Sequence, residues 1–285
     1  MSGAVGFDVS GVRAALVDTR FGEVSWVAQT ASTNADLLDL AVDAGAEGVV
    51  LGADHQTAGR GRRGRTWSAP PEAAVLVSVL LRPPAPAVEL VTPAVAVAAA
   101  EAVEATCGAA PGIKWPNDLV VTSDDGGPDR KLAGILAEVV WPPGADVASG
   151  WRAPGPAVRV PVVVGMGLNV TAAGRSPDLD PIAIACDEVT SGDRHVGREE
   201  LVVAWLQRLD RWYGCAVDPA RNEELWAAWR SRSATLGRRV RVDLGPDEVV
   251  GQAVDVTATG QLVLLTDEGA RRALAVGDVT HLRAE

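Results

Sequence analysis

The densest concentration of ligand-binding side chains in this 285-residue sequence is Gly59-Arg60-Gly61-Arg62-Arg63-Gly64-Arg65-Thr66-Trp67. Four arginines fall within six residues, with glycines between them. A guanidinium is a planar fork of donors that fits a carboxylate or a phosphate on two prongs. Glycine lets backbone N–H groups come close to a ligand and accepts positive φ. The segment therefore reads as a mobile anion-binding flap, with a nucleic-acid-binding arm and a solvated basic loop as the alternatives. It is not a P-loop, because the sequence has no G-x-x-x-x-G-K-[ST].

Three further segments have residue types suited to the same chemistry. Lys114-Trp115-Pro116-Asn117-Asp118 precedes the apolar Leu119-Val120-Val121. Its lysine suits a phosphate, and its carboxylate and amide suit magnesium or a nucleotide, while a plain β-turn with a stacked tryptophan is the alternative. Lys131 opens the apolar run Leu132-Ala133-Gly134-Ile135-Leu136, either as an edge charge or as a cation between two reacting anions. Gly165-Met166-Gly167-Leu168-Asn169-Val170 closes another apolar run, where two glycines allow close approach by a ligand or by neighbouring backbone. His55, His195 and His281 lack metal-ligand spacing and read as non-catalytic. Neither G-x-S-x-G nor H-E-x-x-H occurs.

The elements that must hold these segments follow from periodicity and punctuation. Ala14 to Thr19 and Glu23 to Ala28 read as opening strands. Ser32-Thr33-Asn34 is placed to cap a helix at Ala35 to Leu38. Gly48 to Ala53 reads as a strand leading into the Gly-Arg loop, and Val75 to Leu81 as a strand buried on both faces. A helix is expected over Val88 to Ala105, strand–turn–strand over Gly112 to Val121, and strands over Lys131 to Val140 and Pro161 to Val170. Two helices follow, Arg198 to Tyr213 and Pro219 to Ser233. Trp205, Trp212, Trp226 and Trp229 sit on them at helical spacing, as packing residues. Beyond Gly237, five short alternating segments form a small all-β module. The expected division is 1–236 and 237–285. The stretches 123–130 and 141–160 read as polar or Pro/Gly-rich excursions.

Composition sets limits on partners. Hydrophobic residues make up 47% and charged residues 22%, which suits a chain with a sizeable core. The formal net charge of −11 argues against general nucleic-acid binding, which favours a basic surface. Cys107, Cys186 and Cys215 lie far apart with no C-x-x-C, so they read as buried thiols in a reducing compartment. No signal peptide is read at the start. The longest mildly apolar stretch, Val88 to Ala100, is about two-thirds of a membrane span. A soluble, cytoplasmic protein with no membrane partner is expected.

Taken in order, Ser32-Thr33-Asn34, Gln56 to Arg65, Lys114 to Asp118, Lys131 to Leu136 and Gly165 to Val170 closely resemble the biotin–protein ligase family. Each motif is modest alone; all of them in this order are specific. The resemblance is strong over residues 25 to 170 and weaker to the end. It implies an α+β fold, a mixed β-sheet flanked by helices like that of class II tRNA synthetases and lipoate ligases, with a small C-terminal SH3-like β-barrel. The lipoate branch lacks the Gly-Arg loop and the Lys114–Asp118 turn, so biotin is the better acid.

The resemblance also implies roles for single residues. Ser32, Thr33, Asn34, Gln56, Arg60, Gly61, Arg62, Lys131 and Gly134 would hold biotin. Arg60, Arg62, Arg63, Trp67, Lys114, Asn117, Asp118 and Asn169 would serve ATP, with Asp118 a candidate magnesium ligand. Lys131, Arg60 and Arg62 would be the catalytic cations that let biotin's carboxylate meet the α-phosphate of ATP. The product, biotinyl-AMP, would then be attacked by a lysine of a biotin carboxyl carrier domain. No enzyme nucleophile is needed. A first strand near residue 14 leaves no room for a helix-turn-helix in front, so no DNA partner is expected; a monomer or a ligand-dependent homodimer is. The segment that orders around the nucleotide is expected within 171–187. A nucleic-acid-binding module and a ligase for lipoate or another acid are the rivals.

Overall fold

The computed structural model describes residues 6–41, 47–122, 127–141, 155–190 and 196–282. His195 and most of the excursions at 123–130 and 141–160 fall outside those residues.

A seven-stranded sheet forms the body. Its strands are β1 (Val24–Thr30), β2 (Val50–Gln56), β3 (Ala74–Leu81), β4 (Gly112–Lys114), β5 (Asp118–Val121), β6 (Arg130–Val139) and β7 (Val162–Asn169), in the order β1-β2-β3-β7-β6-β5-β4. β1 and β2 run parallel and every other pair is antiparallel. This is the mixed sheet expected from the sequence. All eight residues of β3 are buried, because the strand is central and covered on both faces.

The two faces of β3 have different work. Val75, Val77, Val79 and Leu81 join the main apolar core with α3 (Val91–Cys107) and α5 (Arg198–Val217). α3 is apolar nearly all round, from Ala94 to Ala100, as a helix enclosed on all sides must be. Together with the turn before it, α3 is long and apolar enough to cross a membrane, yet 72% of its most apolar window is buried against the rest of the protein. On the other face, Leu80 packs with Val163 and with Leu37 of α2 (Thr33–Leu40). On the same face Ser78 borders the cavity described below.

The first expected strand, Ala14 to Thr19, is instead the end of a helix, α1 (Val9–Ala15), and the turn that follows it. Asp8 caps it by accepting from the Gly11 N–H, and Val12 and Leu16, four residues apart, are both buried. A cap followed by an i, i+4 apolar pair outweighs the short apolar run that suggested a strand.

The remaining helices are α4 (Cys186–Val189) and α6 (Asn222–Ser231). The tryptophans of α5 and α6 are core residues, with Trp205, Trp212, Trp226 and Trp229 all buried. Cys107, Cys186 and Cys215 are free and buried, as the sequence suggests. The C-terminal segment folds as a separate antiparallel sheet of β8 (Arg239–Asp243), β9 (Glu248–Val256), β10 (Leu262–Thr266), β11 (Arg271–Leu274) and β12 (Asp278–His281), in the order β11-β10-β9-β8-β12. This matches the expected small SH3-like module, although among the described residues β11 and β12 do not pair to close it. It is docked on the body by indole donors: Trp115 Nε1 reaches Gly260 O at 2.9 Å, and Trp226 Nε1 reaches Ala258 O at 3.0 Å.

Candidate active site

Val77 and Ser78 of β3 and Gly165, Met166 and Gly167 of β7 form the floor of a cavity of ≈ 200 Å³. Ser78 stands opposite Gly165, and Leu76 opposite Gly167. The cavity is lined by Ser32, Thr33, Asn34, Gln56, Arg60, Gly61, Arg62, Trp67, Lys114, Asn117, Asp118, Lys131 and Gly134, along with others. Five sequence segments expected to cooperate therefore converge on one hollow.

A continuous file of hydrogen bonds crosses the floor. Gln56 Oε1 accepts from the Thr33 N–H at 2.8 Å and from the Thr33 hydroxyl at 3.0 Å. Thr33 Oγ1 is 2.7 Å from Ser78 Oγ, and the Ser78 hydroxyl donates to Asn34 Oδ1 at 2.6 Å. Asn34 Nδ2 donates to Glu138 Oε2 at 2.8 Å and to Leu136 O at 3.2 Å. Arg60 Nη2 closes the file on Glu138 Oε2 at 2.9 Å. Both N–H donors of Asn34 are thus used inside the protein. A buried polar network with its members paired is rigid, which suits recognition of a small polar ring. Ser32 caps α2 by accepting from the Ala35 N–H. Ser78 and Glu138 were not among the expected site residues. Ser78 had a signal, as the one polar residue in the run Ala-Val-Leu-Val-Ser-Val-Leu-Leu.

The two glycines of β7 make this geometry possible. A Cβ at Gly165 would collide with Asn34 Oδ1, and one at Gly167 with the Trp67 ring. Gly167→Ala is therefore expected to lose about 1–3 kcal/mol of stability through overpacking. Urea unfolding should show it, together with a shift in tryptophan fluorescence as Trp67 moves.

The Gly-Arg segment is a tight hairpin over the cavity. The Trp67 N–H donates to Gly59 O at 3.0 Å and the Gly61 N–H to Arg65 O at 2.7 Å, with Arg63 and Gly64 at positive φ in the turn. Its arginines diverge. Arg62 Nη1 donates to Asn117 Oδ1 at 3.1 Å, and its guanidinium also reaches Gly277 O and, at 3.7 Å, Asp278. Arg63, which does not line the cavity, pairs with Asp278 and Asp243, and Arg65, which does, pairs with Asp278. One carboxylate of the C-terminal sheet thus engages three loop cations. Burial lowers the Arg62 pKa, opposed by Asp278 and Asp118.

Opposite the hairpin, the Lys114–Asp118 turn joins β4 to β5. Asn117 is fixed by its Nδ2 donating to Ile135 O at 2.6 Å. Lys114 is half-buried, and desolvation lowers its pKa although Asp118 and Asp129 oppose this. Lys131 Nζ lies 2.7 Å from Asp118 Oδ1, with angles that are not those of a hydrogen bond. It also stands 5.5 Å from the centre of the Trp67 ring. Its ammonium is charge-balanced by Asp118.

A second cavity of ≈ 500 Å³ lies beyond Lys131 and Trp67, which line both. Its walls include His55, Asn169, Arg175, Leu179 and Ile182. Asn169 Nδ2 donates to Ile184 O at 3.0 Å and Lys131 O at 3.4 Å, stapling the 182–185 segment to β6. Arg175 holds the 171–188 segment through Asp180 at 2.8 Å and Glu188 at 2.6 Å. His55 Nδ1 and Trp67 Nε1 are buried beside this cavity with no partner among the described residues. Such groups are ones that a ligand can satisfy. Among the described residues no three His, Cys, Asp or Glu side chains cluster as a metal site.

Comparison with known proteins points one way. Residues 26–148 match the model of the biotin/lipoate A/B protein ligase family, and residues 235–282 match the biotin protein ligase C-terminal domain. A biotin–[acetyl-CoA-carboxylase] ligase of Mycobacterium tuberculosis is 40% identical over 266 residues, covering 90% of this chain and 88% of the relative. Its counterpart in Paracoccus denitrificans is 35% identical over 84% of this chain and 92% of that protein. In fold, the chain is similar to the biotin protein ligase of Aquifex aeolicus in complex with biotin and ATP, at a TM-score of 0.70 and 24% identity, covering 93% of this chain and all of that one.

Proposed function

The chain belongs to the biotin/lipoate protein ligase family, and from that premise we propose how its two cavities divide the work of a biotin–[biotin carboxyl-carrier protein] ligase. It activates biotin with ATP to biotinyl-AMP and transfers biotin to a lysine of a carrier domain, releasing pyrophosphate and AMP. The observation that carries the division is Lys131, which lines both cavities at their junction. Biotin sits over the Gln56–Thr33–Ser78–Asn34 floor, with its carboxylate toward Lys131. The adenylate moiety sits beyond Trp67, where the unpartnered His55 and Trp67 nitrogens lie.

A carboxylate oxygen attacks the α-phosphorus and the bond to pyrophosphate breaks. Two anions must approach for this, and preorganised cations lower that repulsion. Lys131 stands at the meeting point; Arg60 and Arg62 are within the same cavity, and Lys114 lines its wall. The mixed anhydride then needs shelter from water, which the Gly-Arg hairpin supplies from above. The acceptor amine attacks the carbonyl carbon, and AMP leaves with the bonding electrons.

Asp118 fits a magnesium ion that arrives with the nucleotide, since such ions keep most of their waters and take only one or two carboxylates. There it would neutralise triphosphate charge. Two assignments concern the chain as a whole. Residues 1–236 carry catalysis, and 237–285 form the small C-terminal domain that docks on it. The net charge of −11 supports a carrier protein as partner over DNA, three buried free thiols suit the cytoplasm, and the edge of β1, unpaired among the described residues, suits a monomer or a ligand-dependent homodimer.

Purified protein is expected to exchange labelled pyrophosphate into ATP when biotin is supplied, and not with lipoate at the same concentration. Stimulation by lipoate but not biotin would reassign the acid. Stimulation by neither would end the ligase reading.

A further inference from the structure

A second buried file of hydrogen bonds joins the C-terminal sheet to the Lys114–Asp118 turn, and no step above uses it. The Trp115 N–H donates to Thr235 Oγ1 at 3.0 Å. Thr235 Oγ1 is 3.2 Å from His281 Nε2, and His281 Nδ1 is 2.5 Å from Asp129 Oδ2. Arg238 Nη1 donates to both Asp129 oxygens, at 3.2 and 2.9 Å. Thr235 is wholly buried, and the His281 and Asp129 side chains are 10% and 9% exposed.

The partners dictate where the protons sit. The Thr235 oxygen accepts the Trp115 N–H, and among the described residues His281 Nε2 is the one acceptor within reach of its own proton. Nε2 must then be an acceptor, and Nδ1 carries the proton toward Asp129. The neutral Nδ1–H tautomer pairs Thr235 and Asp129, while Arg238 Nη1, 3.2 Å from Nδ1, spends its protons on the two Asp129 oxygens. A proton on Nε2 would leave the buried Thr235 hydroxyl facing another donor, at the cost of an unsatisfied group. The order carboxylate–imidazole–hydroxyl is also that of an activated nucleophile. Here the hydroxyl is sealed from both cavities and already occupied by a backbone donor, so its work is on the backbone.

We propose that Thr235, oriented by neutral His281 and Asp129, is a positioning residue that fixes the Trp115 backbone and so sets Lys114 and Asp118 in the geometry the nucleotide needs. The role rests on the ligase reading. Lys114 and Asp118 directly face one another in the β4–β5 register, and Trp115 follows Lys114 in the turn between them. A displacement of about 1 Å in such a support is enough to cost orders of magnitude in a positioned reaction.

The surroundings keep His281 neutral. Burial lowers its pKa, Asp129 in the segment before β6 opposes this, and Lys114 from β4 and Arg238 from before β8 reinforce it. Asp278 lies at the far end of β12. The file is therefore intact at neutral pH and breaks only as acidity protonates Nε2, below the usual histidine range of about 6.5.

The test uses the full chain and biotin-dependent ATP–pyrophosphate exchange between about pH 5 and pH 8. Thr235→Val keeps the shape and removes the hydroxyl. It is expected to raise the KM for ATP by about tenfold while leaving the KM for biotin within about twofold. Thr235→Ser restores the wild-type value. The wild-type KM for ATP rises as pH falls through the His281 transition, and His281→Gln, which cannot titrate, flattens that acid limb. Backbone amides of 113–118 exchange faster with deuterium in Thr235→Val. An unchanged KM for ATP in folded Thr235→Val, or an undiminished acid limb in His281→Gln, overturns the proposal. If Thr235→Val does not fold, the His281→Gln profile decides alone. A wild-type chain with no biotin-dependent exchange overturns the ligase reading instead.

Discussion

Lys131→Ala is expected to lose biotin-dependent ATP–pyrophosphate exchange by about two orders of magnitude or more, the usual cost of removing one preorganised charge from a site where charge develops. The position explains the size of the effect. Lys131 is the cationic residue that lines both cavities, so no neighbour can substitute for it on the line between acid and phosphate. Arg60 is engaged by Glu138 at 2.9 Å and Arg62 by Asn117 at 3.1 Å. The Lys131 side chain is 37% exposed, so truncating it leaves no core cavity, and the variant should unfold at nearly the wild-type denaturant midpoint. Biotin binding measured by calorimetry should weaken far less than exchange, since the ring contacts lie on the Gln56–Thr33 floor. Near-normal exchange in a folded Lys131→Ala chain would remove the residue from the chemistry.

How much of this was legible in the sequence differs from element to element. β3 was plain, because eight consecutive buried residues leave an apolar run that few other structures tolerate. The Gly-Arg loop, the Lys114–Asp118 turn and Lys131 were plain as residue types, and their meeting in one cavity follows the order expected of them. α1 was misread because its signal is a cap at Asp8 and one i, i+4 pair, which a four-residue apolar run conceals. Ser78 and Glu138 were missed for opposite reasons. Ser78 is a single hydroxyl whose importance depends on Gly165 standing across the sheet, and Glu138 sits on a strand where an exposed acid is the ordinary reading. Contacts between the two sheets were beyond reach. His281 and Asp129 are 152 positions apart, and Arg62 and Gly277 are 215 apart, with no local pattern that pairs them.

That last contact bears on the second large effect. Arg62→Gly is expected to release reactive biotinyl-AMP, read as biotin on bystander lysines of an added inert protein, at least about tenfold above wild type. Arg62 lines the cavity and ties the hairpin down on two sides, to Asn117 on one and to Gly277 and Asp278 on the other. Glycine removes the phosphate-facing charge and the tie together, and adds backbone freedom worth about 0.5–1 kcal/mol to the open state. Arg65 provides the contrast. Its side chain is 68% exposed and meets Asp278, so Arg65→Gly should leak little, as exposed ion pairs contribute at most about 1 kcal/mol. Asp278→Asn separates the two parts of the Arg62 effect, because it loosens the tie while leaving the cation in place. If leakage follows the tie, Asp278→Asn leaks between the two arginine variants; if it follows the charge, Asp278→Asn retains the adenylate like wild type. Undetectable labelling by Arg62→Gly, with exchange intact, would mean that something other than this hairpin keeps water and stray amines from the anhydride.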